Sequence, residues 1–225
     1  MKQSEWTPYL DLLKASPLFQ GISETDFPKA LTYLRARRQA FSEGEIILHT
    51  GDPFHHAGLV LSGTMEATIQ TENSDTINMY HFRTGEMFGM ALVCAGPMAS
   101  PVQLRALTDC TLLFLELPVL YEPSKCPYQP RLSANLIRCL SRQNRFLNQK
   151  VRILSHRALR DRVLVYLRDL PQSTDGTRQI PFSQTALAEF LGVNRSALAR
   201  ELGRMQDEGL ISLEGRTVTL KKHNP

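Results

Sequence analysis

Residues 183–220, SQTALAEFLGVNRSALARELGRMQDEGLISLEGRTVTL, decide how this chain is read. The stretch predicts two short helices joined by a tight turn and followed by a hairpin, the pattern of a winged helix-turn-helix. In the first helix Leu187, Phe190 and Leu191 fall on one stripe, and the small Ala188 lets a second helix approach closely. Gly192 breaks that helix because glycine accepts the positive φ of a sharp turn, and Asn194 is a good N-cap for the next one. Leu198, Leu202 and Met205 then follow at i, i+4 and i+7, while Arg195, Ser196, Ala199 and Arg200 cluster near the helix start on the opposite side. A helix laid out in this way can put its N-terminal half into a DNA major groove, where an arginine donates two parallel hydrogen bonds to a guanine edge. Runs at 211–213 and 216–220 flank a Glu214-Gly215 turn and bring Arg216 within reach of phosphate. With Ser183 and Gln184 at the start of the first helix, these residues form the candidate DNA-facing set.

Glycine-separated amphipathic helices also occur in ordinary all-α cores, and charge distinguishes the two readings. Residues 1–122 hold eight Lys and Arg against fourteen Asp and Glu, whereas residues 123–225 hold eighteen against eight. From Lys125 to Arg160 there are nine basic residues and no acidic one. The half with the helix-turn-helix is therefore the half suited to a polyanion, since neutralising phosphates supplies most non-specific affinity for nucleic acid.

A chain of 225 residues, 42% hydrophobic and 21% charged, has room for two modest domains. The N-terminus MKQSEWTPYL carries no apolar signal-like run, and no apolar run approaches the length of a membrane span, so a cytoplasmic location is expected. Cys94, Cys110, Cys126 and Cys139 are widely spaced without a C-x-x-C pair, which argues for buried reduced thiols rather than disulfides or a zinc site.

Toward the N-terminus, a short helical segment at 8–14 leads to Ser23-Glu24-Thr25-Asp26, a helix start ahead of Phe27, Ala30, Leu31 and Leu34. Short β-rich runs follow at 45–49, 59–61, 65–69, 77–82 and 103–115, separated by turn signals such as Thr50-Gly51-Asp52-Pro53, Ser62-Gly63 and Asn73-Ser74-Asp75. Regular short strands without long intervening helices imply a sandwich, jelly roll or barrel. Proline-rich residues 122–130 mark a boundary before a helix at about 131–154. Leu132, Leu136, Leu140, Leu147, Val151 and Leu154 form a stripe on it, interrupted by Gln143 and Asn144, and a two-fold partner would cover that stripe. The predicted organisation is α+β: a jelly-roll effector domain at 1–122, a dimerisation helix at 123–156 and a winged helix-turn-helix at 157–225.

The order of parts, together with FSEGEIILHTGDP, LVLSGTMEATI, GEMFGMALV, LRALTDCTLLFL and LAEFLGVNRSALARELGRMQDEGLI, resembles the cyclic-AMP receptor protein and fumarate-nitrate reduction regulator superfamily over nearly the whole chain. The resemblance implies a homodimeric transcription regulator that binds pseudo-palindromic double-stranded DNA, contacts RNA polymerase and responds to a small effector. It places Arg195 and Arg200 where the family contacts DNA, with Arg200 on the guanine-reading position. Ser196 stands where many relatives carry a glutamate that accepts from cytosine. In cyclic-nucleotide-binding relatives the segment matching residues 89–107 supplies a glutamate for the ribose and an arginine followed by serine for the cyclic phosphate. This chain has Met90, Ser100 and Pro101 there, and a buried phosphate without a cationic partner is badly unsatisfied, so cyclic AMP is disfavoured. The expected pocket comprises Gly89, Met90, Ala91, Leu92, Ser100 and Pro101, with Gln143 and Asn144 from the long helix.

No cofactor is expected. The carbon-monoxide sensor's haem-ligating cysteine and histidine are replaced here by Gly89 and Ala91, and no cysteine precedes Cys94 to build an iron-sulfur cluster. A haem-based gas sensor of the same architecture stays open as an alternative through His49, His55, His56 or His81. A cupin-type metal enzyme needs spaced rather than adjacent histidines, and His55-His56 would point to opposite faces of a strand. A ligand-binding module whose helix-turn-helix makes only protein contacts is the remaining reading; salt-dependent binding to duplex DNA separates it from a regulator. Neither catalytic residues nor metal ligands are predicted.

Overall fold

A computed structural model describes residues 6–70 and 76–221, so the Asn73-Ser74-Asp75 turn lies outside the described residues. The chain forms two compact units, Met1–Ser141 and Arg142–Pro225.

In the first unit, helices α1 (Leu10–Ala15) and α2 (Phe27–Tyr33) precede eight strands: β1 (Arg37–Phe41), β2 (Ile46–Leu48), β3 (Ala57–Ser62), β4 (Thr64–Gln70), β5 (Thr76–Arg83), β6 (Met87–Phe88), β7 (Gln103–Ala106) and β8 (Cys110–Leu115). They pair antiparallel in two four-stranded sheets, ordered β1-β8-β3-β6 and β2-β7-β4-β5, which is the roll the strand spacing predicted. Its core combines Leu59, Met65, Phe88, Leu104, Leu112, Leu113 and Leu115 with Leu13, Leu18, Phe27 and Leu31 from the N-terminal helices and turns.

Two details differ from expectation. The run at 103–115 is two strands, because Thr108 Oγ1 accepts from the Thr64 amide at 3.0 Å and Asp109 Oδ1 from the Glu43 amide at 2.9 Å, ending the ladder at that corner. Strand β1, RRQAF, was not anticipated, since only Phe41 of its residues is buried and the strand pairs with β8 alone. The helix start expected ahead of Phe27 is present as a 3-10 turn, Glu24–Asp26, that runs into α2; there Ser23 donates its hydroxyl proton to Asp26 at 2.7 Å, and Tyr128 donates to the other Asp26 oxygen at 2.7 Å. These two donors hold the Asp26 carboxyl below its ordinary pKa.

Helix α4 (Gln129–Leu154) corrects the proposed dimer stripe. Leu132 and Leu136 are 0% and 2% exposed within the core of the first unit, and Leu140 packs against that core. Asn135 anchors the same face by donating to the carbonyls of Leu18 at 2.9 Å and Gln20 at 2.8 Å. Leu132 and Leu136 are thus already covered by their own domain. The apolar side chains left open are Ile137 at 64%, Phe146 at 42%, Leu147 at 51%, Val151 at 68% and Leu154 at 36% exposure, and of these Phe146 lies with its ring centroid 5.4 Å from that of Phe190. Ile137, Asn144 and Val151 repeat every seven residues, as do Leu140, Leu147 and Leu154, so the open part of the helix keeps Leu147, Val151 and Leu154 of the expected stripe and adds Ile137, with a spacing that suits a coiled coil.

The second unit takes α4 from Arg142 onward, α5 (Leu159–Asp169), β9 (Arg178–Gln179), α6 (Gln184–Phe190), α7 (Arg195–Asp207), β10 (Ile211–Glu214) and β11 (Thr217–Leu220). The sheet order is β10-β11-β9. Ile153, Val163, Tyr166, Leu167, Leu187, Leu191, Leu198, Leu202, Met205, Ile211 and Val218 form its core. No described helix is long and apolar enough to cross a membrane.

Candidate nucleic-acid interface and effector segment

The two helices of the reader are set by caps at each start. Ser183 Oγ accepts from the Ala186 amide at 3.2 Å, and Asn194 Oδ1 accepts from the Ala197 amide at 2.8 Å and from the Ser196 hydroxyl at 2.8 Å. Between them Gly192 takes φ +70°, as the turn demanded. Leu198, Leu202 and Met205 bury the inner face of α7, which leaves Arg195, Ser196, Ala199 and Arg200 exposed on the outer one.

The electrostatics of α7 favour an anion on that outer face. Arg195 Nε reaches Gln184 Oε1 at 3.5 Å and Arg200 Nε reaches the Ser196 carbonyl at 3.4 Å, so neither guanidinium is neutralised by a carboxylate among the described residues. Two acids of the region, Glu201 and Glu208, are held elsewhere by Arg160, which sequence reasoning missed because its partners lie far along the chain. Arg160 donates to Glu201 Oε1 at 2.7 Å and to both Glu208 oxygens at 2.6 and 2.8 Å, a bidentate clamp that holds the Glu208 carboxyl below its ordinary pKa. Only the coexistence of basic Arg160 on α5 with acids at both Glu201 and Glu208 hinted at this.

The wing is shifted by one residue from expectation. Glu214 pairs with Thr217, so the two-residue loop is Gly215-Arg216, with Gly215 at φ +60°. Arg216 is exposed at the tip while its carbonyl accepts from the Ile180 amide at 2.9 Å.

The expected effector residues of the first unit behave differently. Gly89, at φ +71°, caps the short helix α3 (Met90–Cys94), and a Cβ built there would lie 2.5 Å from the Phe54 ring. Met90 and Leu92 are half-buried and Ala91 exposed. Ser100 is 2% exposed, yet its hydroxyl donates to the Val102 carbonyl at 2.6 Å; next to it Pro101 is exposed. A hollow of ≈ 320 Å³ lies instead along Ala40, Phe41, Ser42, Ser62, Asp109, Cys110 and Thr111, none of them expected pocket residues. Gln143 and Asn144 are exposed and belong to the second unit, where Asn144 Oδ1 accepts from Asn148 at 3.0 Å.

Cys110 and Cys139 are buried, but Cys94 and Cys126 are only half-buried, and all four are free thiols. Burial pushes the Cys110 thiol pKa up. His56 Nε2 faces an Arg37 guanidinium nitrogen at 2.5 Å and so acts as an acceptor; burial and that cation both lower its pKa. Among the described residues no three His, Cys, Asp or Glu side chains converge as metal ligands.

A roll of two four-stranded sheets, a long helix and a winged reader with an uncompensated basic face define a DNA-binding transcription regulator of the Crp type, and the comparisons with known proteins agree. A cyclic nucleotide-binding domain model matches residues 38–122 and a Crp-like helix-turn-helix model matches residues 161–224. The chain is similar to the CRP-like protein Clp of Xanthomonas campestris pv. campestris, 25% identical over 194 residues that cover 82% of this chain and 84% of Clp. It is also similar to the global nitrogen regulator of Nostoc sp., 23% identical over 190 residues, 82% of this chain and 85% of the relative. Among solved structures, the catabolite activator protein of Thermus thermophilus aligns with TM-score 0.52 and 26% identity over 92% of this chain and 94% of its own.

Proposed function

We propose that the chain works in the cytoplasm as a homodimer on a pseudo-palindromic operator, that it is controlled by a small effector other than a cyclic nucleotide, and that it contacts RNA polymerase as its family does. The observation that carries the DNA-reading part is the outer face of α7: Arg195 and Arg200 stand exposed without carboxylate partners among the described residues, while Arg160 holds Glu201 and Glu208 away. Placing two such faces about one DNA turn apart, roughly 34 Å, requires a dimer, and the exposure of the apolar side chains Ile137, Leu147, Val151 and Leu154 supports that reading. The effector reading rests on Met90, Ser100 and Pro101, which offer no cation to a phosphate and no carboxylate to a ribose. It requires neither haem nor metal.

Selection of duplexes from a random-sequence pool by the full-length chain, followed by a salt titration of the winner, tests the reading. A palindromic consensus with affinity falling steeply as salt rises is expected. Calorimetry with cyclic AMP and cyclic GMP at millimolar concentration checks the effector; micromolar binding of either overturns that part.

A further inference from the structure

The chain has thirteen glycines, and twelve of them have a visible reason within the fold. Eleven take a positive φ. Gly58, in β3, does not, but a Cβ there would lie 2.2 Å from the Phe88 ring. Gly203 is the exception: it sits in the interior of α7 without a positive φ, and a Cβ built on it meets no heavy atom within 4 Å. Glycine inside a helix is less stable than alanine because it loses more backbone freedom on folding, so the fold alone favours a side chain at this position.

The position of Gly203 shows what the missing side chain leaves room for. It lies three residues after Arg200, four after Ala199 and seven after Ser196, which puts all four on the outer face of α7, opposite Leu198, Leu202 and Met205. Exposed Arg200 and Arg204 bracket it. We propose that Gly203 sets the depth at which α7 enters the DNA groove: its bare backbone lets the helix approach the groove closely enough for Arg200 to reach a base edge. This rests on the DNA-reading assignment above and assigns the glycine to the duplex rather than to the protein.

The test compares the full-length chain with its Gly203→Ala and Gly203→Leu variants. The probes are the duplex selected by the wild-type chain and a non-selected mixed-sequence duplex of equal length. Gly203→Ala is expected to raise the thermal midpoint by roughly 2–4 °C. It is expected to weaken the selected duplex, and Gly203→Leu more so, by factors on the order of five- to a hundredfold. Binding to the mixed-sequence duplex, held by phosphate contacts, is expected to change by about twofold or less. A wild type that selects a duplex while both variants bind it equally well overturns the depth role alone. A lower thermal midpoint for Gly203→Ala also overturns it, because the glycine is then needed by the fold. A wild type that selects no duplex overturns the DNA-reading assignment and this inference together.

Discussion

The two compact units treat similar residues in opposite ways. In the first, apolar and polar groups are used internally: Leu132 and Leu136 pack into the core, Phe54 lies against Gly89, and the Ser100 hydroxyl bonds Val102 two residues away. In the second, the outer groups face outward: Leu147 and Val151 on the same helix α4 are exposed, as are Arg195 and Arg200. A buried group without a use inside the chain is costly, whereas an exposed one is available to a partner. The contrast separates stability from recognition, and substitutions in the two units are expected to affect different measurements.

The largest effect is expected in the first unit. Phe54 is 5% exposed with its ring against Gly89, and replacing a buried phenylalanine by alanine costs about 3–5 kcal/mol. Phe54→Ala should lower stability by that amount in a denaturant titration while the selected DNA consensus keeps its sequence. A cost below about 1 kcal/mol would show that the segment around Gly89 is loosely packed.

Helix α4 allows the sharpest comparison, because one helix serves both purposes. Leu136→Ala should cost about 2–5 kcal/mol of stability and leave the dimer mass unchanged. Val151→Asp, at 68% exposure, should change the stability of the isolated fold by about 0.5 kcal/mol or less and shift light scattering toward the monomer. If Leu136→Ala dissociated the dimer while Val151→Asp did not, the interface would lie on the N-terminal part of the stripe, Leu132 and Leu136, and not on its exposed C-terminal part.

What was legible in the sequence follows the same division. Helices α6 and α7, their turn at Gly192 and the Asn194 cap of α7 are local patterns legible in residue type and spacing, whereas the Ser183 cap of α6 was not read. The leucines of α4 were visible too, but which of them belong to the roll depends on packing against Leu18, Gln20 and strands far away in the chain. A leucine reads the same whether its own domain or a partner covers it, so the sequence does not show that Leu132 and Leu136 are buried in their own domain while Ile137 is exposed. Strands β1, β6 and β9 escaped for a related reason: two are two residues long, and β1 is mostly exposed. Arg160 was hidden because its contacts with Glu201 and Glu208 span 41 and 48 residues.

A smaller and more specific effect is expected at Arg200. Its Nε contact with the Ser196 carbonyl, at 3.4 Å, is long and easily exchanged for a base edge. Arg200→Ala should leave stability unchanged within about 0.5 kcal/mol, cost about 1–3 kcal/mol of affinity for the selected duplex and flatten discrimination at one position of each half-site. An unchanged consensus in a binding-and-sequencing assay would remove Arg200 from the base-reading role.

The smallest effect is expected at Ser183, where the two uses of a side chain overlap. Its oxygen accepts from the Ala186 amide at 3.2 Å and caps α6, while a serine hydroxyl still has a proton to donate to phosphate. Ser183→Ala removes both functions and should cost about 1 kcal/mol of stability. Ser183→Asp keeps the cap, because a carboxylate accepts from the same amide and suits a helix N-terminus, so stability should return to the wild-type value. Its charge would then face the phosphate that the hydroxyl meets, and Ser183→Asp should bind DNA more weakly than Ser183→Ala, most clearly at low salt where repulsion is least screened. Equal DNA affinity for the two variants would show that Ser183 serves the helix alone, and the DNA-facing set would then begin at Gln184.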